Sequence, residues 1–150
     1  MHLILWRHAE AADGEPDLAR RLTPKGHRQA EATANWLRPR LPKATVVLAS
    51  PSARTIETVR ALTDTYVVTP EIAPGAEPEA VLAAAGWPDE HPAVLVVGHQ
   101  PTLGAVAALL LSGERQEWSI RKSGVWWMSH RVRGEDQQVV LRAVTNVDLL

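Results

Sequence analysis

Three short apolar runs, residues 3–6, 45–49 and 93–97, break off abruptly, the first into Arg7-His8, the second into Ser50-Pro51 and the third into Gly98-His99. Runs of this length without polar alternation are the pattern of strands buried on both faces, which arises where helices cover a parallel sheet. Helix patterns lie between them. Thr23-Pro24 is an N-cap followed by proline at the first helical position, and Ala30, Ala34, Leu37 and Leu41 then form one buried stripe, with Pro39 and Pro42 limiting its length. Ser50-Pro51 repeats the cap-and-proline signal and predicts a helix from Pro51 to about Thr63, with Ile56, Val59 and Leu62 inward. A short strand over 66–69, a short helix over 79–85 ended by Gly86, and an apolar helix from Pro101 to about Leu111 follow. Residues 124–133 and 138–147 are extended candidates separated by Gly134-Glu135-Asp136, a terminal hairpin. The alternation predicts an α/β fold of three layers, α/β/α, with a largely parallel central sheet. At 150 residues it is read as one domain over 1–150.

Composition narrows the function classes. Sixteen basic and 17 acidic side chains give a net charge of −1, so no nucleic-acid or anionic-membrane surface is expected from bulk electrostatics. The absence of cysteine excludes disulfides, thiolate metal sites and a cysteine nucleophile. No apolar stretch approaches the roughly 20 residues of a membrane span, and the N-terminus lacks the pattern of a secretory leader, so a cytoplasmic protein is expected. Neither a Gly-x-Gly-x-x-Gly fingerprint nor a Gly-Lys-Ser/Thr loop follows any strand, which argues against a nucleotide-binding domain.

In open parallel sheets, ligands bind beyond the carboxyl ends of the strands. The three strand endings therefore bring Arg7, His8, Arg54 and His99 to one edge. Arg54 falls in the first turn of its helix, where the macrodipole disfavours a cation by about 0.3–1 kcal/mol, and an anion placed there removes the conflict. A surface pairing of Arg54 with Glu57 or Glu31 is the competing reading, and for His99 a local backbone contact. No metal is expected at His8 and His99: neither has a paired histidine or carboxylate at ligand spacing.

Arg7-His8-Ala9-Glu10-Ala11 resembles the Arg-His-Gly signature of the histidine phosphatase superfamily, in its Arg-His-Ala-Glu variant. Ser50-Pro51-Ser52-Ala53-Arg54-Thr55 with Thr58 resembles the second motif of that superfamily, and Gly98-His99-Gln100-Pro101 the third. Arg20-Arg21-Leu22-Thr23-Pro24-Lys25-Gly26 is similar to the stretch that marks the SixA-type phosphohistidine phosphatase branch. Ala9 departs from the commoner glycine, a change frequent among small bacterial members.

The resemblance implies a phosphoglycerate mutase-like fold without a large cap insertion, and catalysis through a phosphohistidine on His8. Arg7, Arg54 and His99 surround the phosphoryl oxygens, Arg20 adds a further contact, and no cofactor is used. Phosphomonoesterases of the superfamily also place a carboxylic acid at the leaving group, for which Glu10, Glu77 and Glu79 are the candidates here. SixA-type members manage without a strong acid, because a phosphoramidate leaves readily once its nitrogen is protonated. The expected substrate is a phosphohistidine-bearing protein such as a histidine phosphotransfer domain, with phosphate as product and inhibitor. The alternatives are a small-molecule phosphomonoesterase and a non-catalytic phosphate-binding module. Among residues outside these motifs, Trp126 and Trp127 are adjacent in a strand candidate and so face opposite sides, one toward the core.

Overall fold

The computed structural model describes residues 1–150. Its elements, in order, are β1 (His2–Arg7), α1 (Pro24–Leu37), β2 (Thr45–Ala49), α2 (Ala53–Arg60), β3 (Val67–Val68), α3 (Pro78–Ala85), β4 (Ala93–Gly98), α4 (Thr102–Ser112), β5 (Val125–Arg133) and β6 (Asp136–Thr145). One six-stranded sheet has the order β3-β2-β4-β1-β5-β6. The first four strands of that order are mutually parallel, β5 pairs antiparallel with β1, and β6 pairs antiparallel with β5.

The period of two along the strands builds the layers. Ile4, Trp6 and Leu95 pack on one face with Ala30, Ala34 and Leu37 of α1 and Val59 of α2. Leu3, Leu5, Val94 and Val96 pack on the other with Val81 of α3 and Leu103 and Val106 of α4. Every residue of β4 is buried, as its unbroken apolar run predicts. Full burial of side chains of this size contributes about 1.5–3 kcal/mol each. The result is the three-layer α/β/α fold. Trp127 lies in the core at 7% exposure and Trp126 is half-buried on the opposite face.

Several boundaries differ from the sequence reading, and α1 ends at Leu37, so Leu41 packs from the turn beyond it. α2 starts at Ala53 and not at Pro51, because Ser52 is its cap, accepting a hydrogen bond from the Thr55 N–H; it ends at Arg60, short of Thr63. α3 gains Pro78 at its start. β3 is confined to two residues. β6 begins at Asp136 and ends at Thr145, because Arg133 pairs directly with Asp136 across a two-residue turn. Gly134 occupies that turn with φ +61°, a conformation open to glycine at little cost. No helix is long and apolar enough to cross a membrane.

Candidate active site

The parallel register aligns Arg7 with Gly98, and Ala49 with Val97, so the chain leaves β1, β4 and β2 at one level. His8 and His99 emerge side by side with ring centroids 5.3 Å apart. Ser50 joins them, its Oγ 2.7 Å from His99 Nε2.

His8 is fixed along its whole length. Its N–H donates to the Gly98 carbonyl at 3.0 Å, and its carbonyl accepts from the Ser123 N–H at 3.2 Å. Nδ1 lies 2.7 Å from the Ala9 carbonyl. A carbonyl only accepts, so Nδ1 carries the proton and Nε2 is left with a free lone pair. Burial lowers the His8 pKa to about 4, with the fields of Arg54, Arg7 and Arg20 adding to it against the opposing pull of the Ala9 carbonyl. Burial first, then the neighbouring His8 and Arg54, brings His99 to about 3. Both rings are neutral at neutral pH.

Two arginines close the site. Arg7 donates from Nη1 to the Ile120 carbonyl at 2.9 Å. Arg54, only 5% exposed, donates from Nη1 to the Asp17 carbonyl at 2.9 Å and from Nη2 to Asp17 Oδ2 at 3.1 Å. Thr58 ties the two elements together: its hydroxyl accepts from the Ala9 N–H at 3.0 Å and donates to the Arg54 carbonyl at 2.7 Å. Arg7 Nε, Arg54 Nε and His99 Nδ1 are buried and make no hydrogen bond within the protein. A buried polar group without a partner costs about 1–3 kcal/mol, and two guanidinium groups beside two neutral histidines favour an anion at this edge.

The sequence profile described as histidine phosphatase superfamily (branch 1) matches residues 3–76. Phosphohistidine phosphatase SixA of Escherichia coli is 32% identical over 123 residues, covering 76% of each chain. The chain belongs to the histidine phosphatase superfamily. An uncharacterized protein of Mycobacterium tuberculosis is 38% identical over 113 residues, 71% of this chain and 70% of that one. The protein histidine phosphatase SixA solved with tungstate superposes with a TM-score of 0.82 at 25% identity, covering 99% of both chains.

In this histidine phosphatase the strand edge brings together Arg7, His8, Arg54 and His99, while the other residues singled out from the sequence lie differently. Arg20 is tied to the loop before α1, donating to the Ala12 carbonyl at 2.8 Å and to Asp17 Oδ1 at 3.1 Å. Through Asp17 it shares a carboxylate with Arg54. The expected rivals Glu57 and Glu31 do not hold Arg54; Glu57 accepts instead from Arg21 and from the Leu22 N–H. None of the three acid candidates is unengaged. Glu77 and Glu79 are both bound by Arg115, and Glu10 accepts from the Thr23 hydroxyl at 2.8 Å.

Sequence reasoning missed Ser50, Asp17 and Ser123. Ser50-Pro51 reads as a helix cap, which conceals the role of Ser50 as the partner of His99. Asp17 sits in a mixed-charge loop with no pattern to mark it. Ser123 is buried with φ +58°, and its side chain bonds Trp6 Nε1 and the Gln29 carbonyl while its N–H holds the His8 carbonyl. The adjacent Gly124 is the one local signal of an unusual backbone there.

Proposed function

We propose that this superfamily hydrolase is a phosphohistidine phosphatase of the SixA type, acting on phosphohistidine displayed by a protein such as a histidine phosphotransfer domain. The observation that carries the reading is a neutral, Nδ1-anchored His8 set among cations, with no carboxyl group available as an acid. Asp17 is the only carboxylate bonded to a residue of the site, and the hydrogen bonds it accepts from Arg20 and then Arg54 hold its pKa below the usual carboxylate range. An ester's leaving alkoxide needs a proton in the transition state; a protonated imidazole leaves without one.

In the reaction, His8 Nε2 attacks phosphorus as the P–N bond to the substrate imidazole breaks. The substrate ring, already protonated on its other nitrogen, departs as neutral histidine. His8 keeps its Nδ1 proton against the Ala9 carbonyl and so carries the phosphoryl group as an imidazolium. Arg7, Arg54 and His99 bind the phosphoryl oxygens, and their preorganised hydrogen bonds and charge supply most of the acceleration. Water then attacks phosphorus, its proton passes to the departing phosphate, and His8 returns to its neutral form. Tungstate, present in the SixA structure, is a tetrahedral oxyanion like phosphate, which fits this use of the site.

Turnover of a phosphohistidine-bearing phosphotransfer domain and of p-nitrophenyl phosphate, side by side, tests the reading. We expect release from the phosphohistidine to exceed release from the ester, and His8→Ala to lower it at least about a thousandfold with the fold intact. Preference for the ester would identify a small-molecule phosphatase, and phosphate binding without turnover a binding module.

A further inference from the structure

Beside the β1 end of the catalytic edge lies a cleft of about 460 Å³, lined by Arg7, Glu10, Lys25, Ser119, Arg121 and Lys122 among others. Four of its side chains are cations and two, Glu10 and Asp148, are carboxylates, in a protein whose net charge is −1. Glu10 is already engaged by Thr23 at 2.8 Å and faces Lys122 at 3.8 Å. Lys25 and Arg121 enter no salt bridge. Arg20, Arg21 and Arg115 are each paired with a carboxylate, whereas other exposed cations such as Arg28 and Arg133 enter no salt bridge either, so it is the gathering of four cations around one cleft that sets this face apart. Lys25 also stands in the first turn of α1, where the helix dipole disfavours a cation by about 0.3–1 kcal/mol.

A second cleft, of about 320 Å³, opens beside Pro101 and Thr102, just beyond His99. Its lining includes Glu77, Glu117 and Arg115, and the charge of Arg115 is offset by Glu77 and Glu79. The two flanks of the catalytic edge therefore differ in sign. The basic side adjoins β1 and α1, and the acidic side adjoins α3 and α4.

We propose that the basic cleft is the docking surface for acidic residues flanking the phosphohistidine of the substrate protein, an inference that rests on the phosphohistidine reading above. Arg7 belongs both to the cleft and to the phosphate site, so a chain segment seated in the cleft carries its phosphoryl group to His8. Lys25 rides on a helix, and Arg121 and Lys122 on the segment that also supplies the Ile120 carbonyl to Arg7, which fixes the spacing of the cations relative to the nucleophile. Unpaired charges at the rim act chiefly on encounter rate and on partner choice, and their effect is screened by salt.

The test uses two synthetic phosphohistidine peptides that differ only in their flanking residues, aspartate and glutamate in one, serine and glycine in the other. At low salt the acidic peptide should show a kcat/KM about tenfold higher or more, with the advantage shrinking as salt rises. The combined variant Lys25→Ser, Arg121→Ser, Lys122→Ser should abolish the advantage and leave turnover of the neutral peptide unchanged, which also reports an intact fold. Equal kcat/KM for the two peptides with the wild type, or an undiminished advantage in the variant, would overturn the docking proposal while leaving the phosphatase reading in place. Hydrolysis of neither peptide by a protein that still cleaves p-nitrophenyl phosphate would overturn both. The wild-type peptide comparison and its salt dependence decide the matter even if the triple variant fails to fold.

Discussion

A histidine buried beside arginines can relieve the electrostatic conflict by losing its proton or by gaining an anion. In the free protein His8 and His99 take the first course, with pKa values lowered from 6.5 to about 4 and about 3. The consequence for stability has a definite sign. Above pH 6.5 both the folded and the unfolded chain hold these rings neutral. As pH falls below that value the unfolded chain takes up protons first, so stability drops from about pH 6.5 down to about pH 4 for His8 and about pH 3 for His99. Inorganic phosphate, by supplying the anion, should raise both pKa values and reduce this loss. Urea unfolding across pH 7 to 4, with and without phosphate, together with NMR titration of the two rings, checks it; a midpoint for free His8 near 6.5 would contradict the electrostatics described here. An arginine and a histidine after one apolar run say little alone; the residue types at the centre were approached from the sequence through three strand endings that a parallel sheet brings to one edge. Ser50 and Asp17 were not legible, since their contacts join strands and loops distant in the chain.

At the scale of elements, the strand runs and the Thr23 cap of α1 could be read directly, because burial on both faces and the cap-and-proline pattern are local signals. The start of α2 could not. Ser50 and Ser52 both precede helix-compatible residues, and only the tertiary contact of Ser50 with His99 decides which of them caps. The segment between α4 and β5 was equally silent, although it supplies the Ile120 carbonyl that holds Arg7 and the Ser123 N–H that holds His8. Its anchor is the start of α4, where the Gln100 side chain donates to the Trp118 carbonyl at 2.9 Å and accepts from the Gly104 N–H at 2.7 Å. A Cβ at position 104 would stand 1.7 Å from that same carbonyl oxygen. Gly104→Ala should therefore push the segment outward, lowering stability by about 1–3 kcal/mol and weakening inhibition by inorganic phosphate through the displaced Arg7. Denaturant melts and inhibition constants measure the two effects; an unchanged inhibition constant would show that the segment does not position Arg7.

For the whole molecule, the parallel order of β2, β4 and β1 is what turns three separate sequence motifs into one site, since their carboxyl ends then share an edge. The alternation of strand and helix patterns was enough to anticipate that edge. The opposite charges of its two flanks were not legible, because Lys25 and Lys122 are 97 residues apart in a chain of balanced composition. Covalent phosphorylation of His8 can be caught by rapid quenching of the enzyme with a phosphohistidine substrate and mapping of the modified residue by mass spectrometry. We expect an acid-labile, base-stable phosphoryl group on His8 and none in His8→Ala. Full turnover with no such species on a time scale that resolves the first cycle, or a phosphoryl group on a different residue, would contradict it.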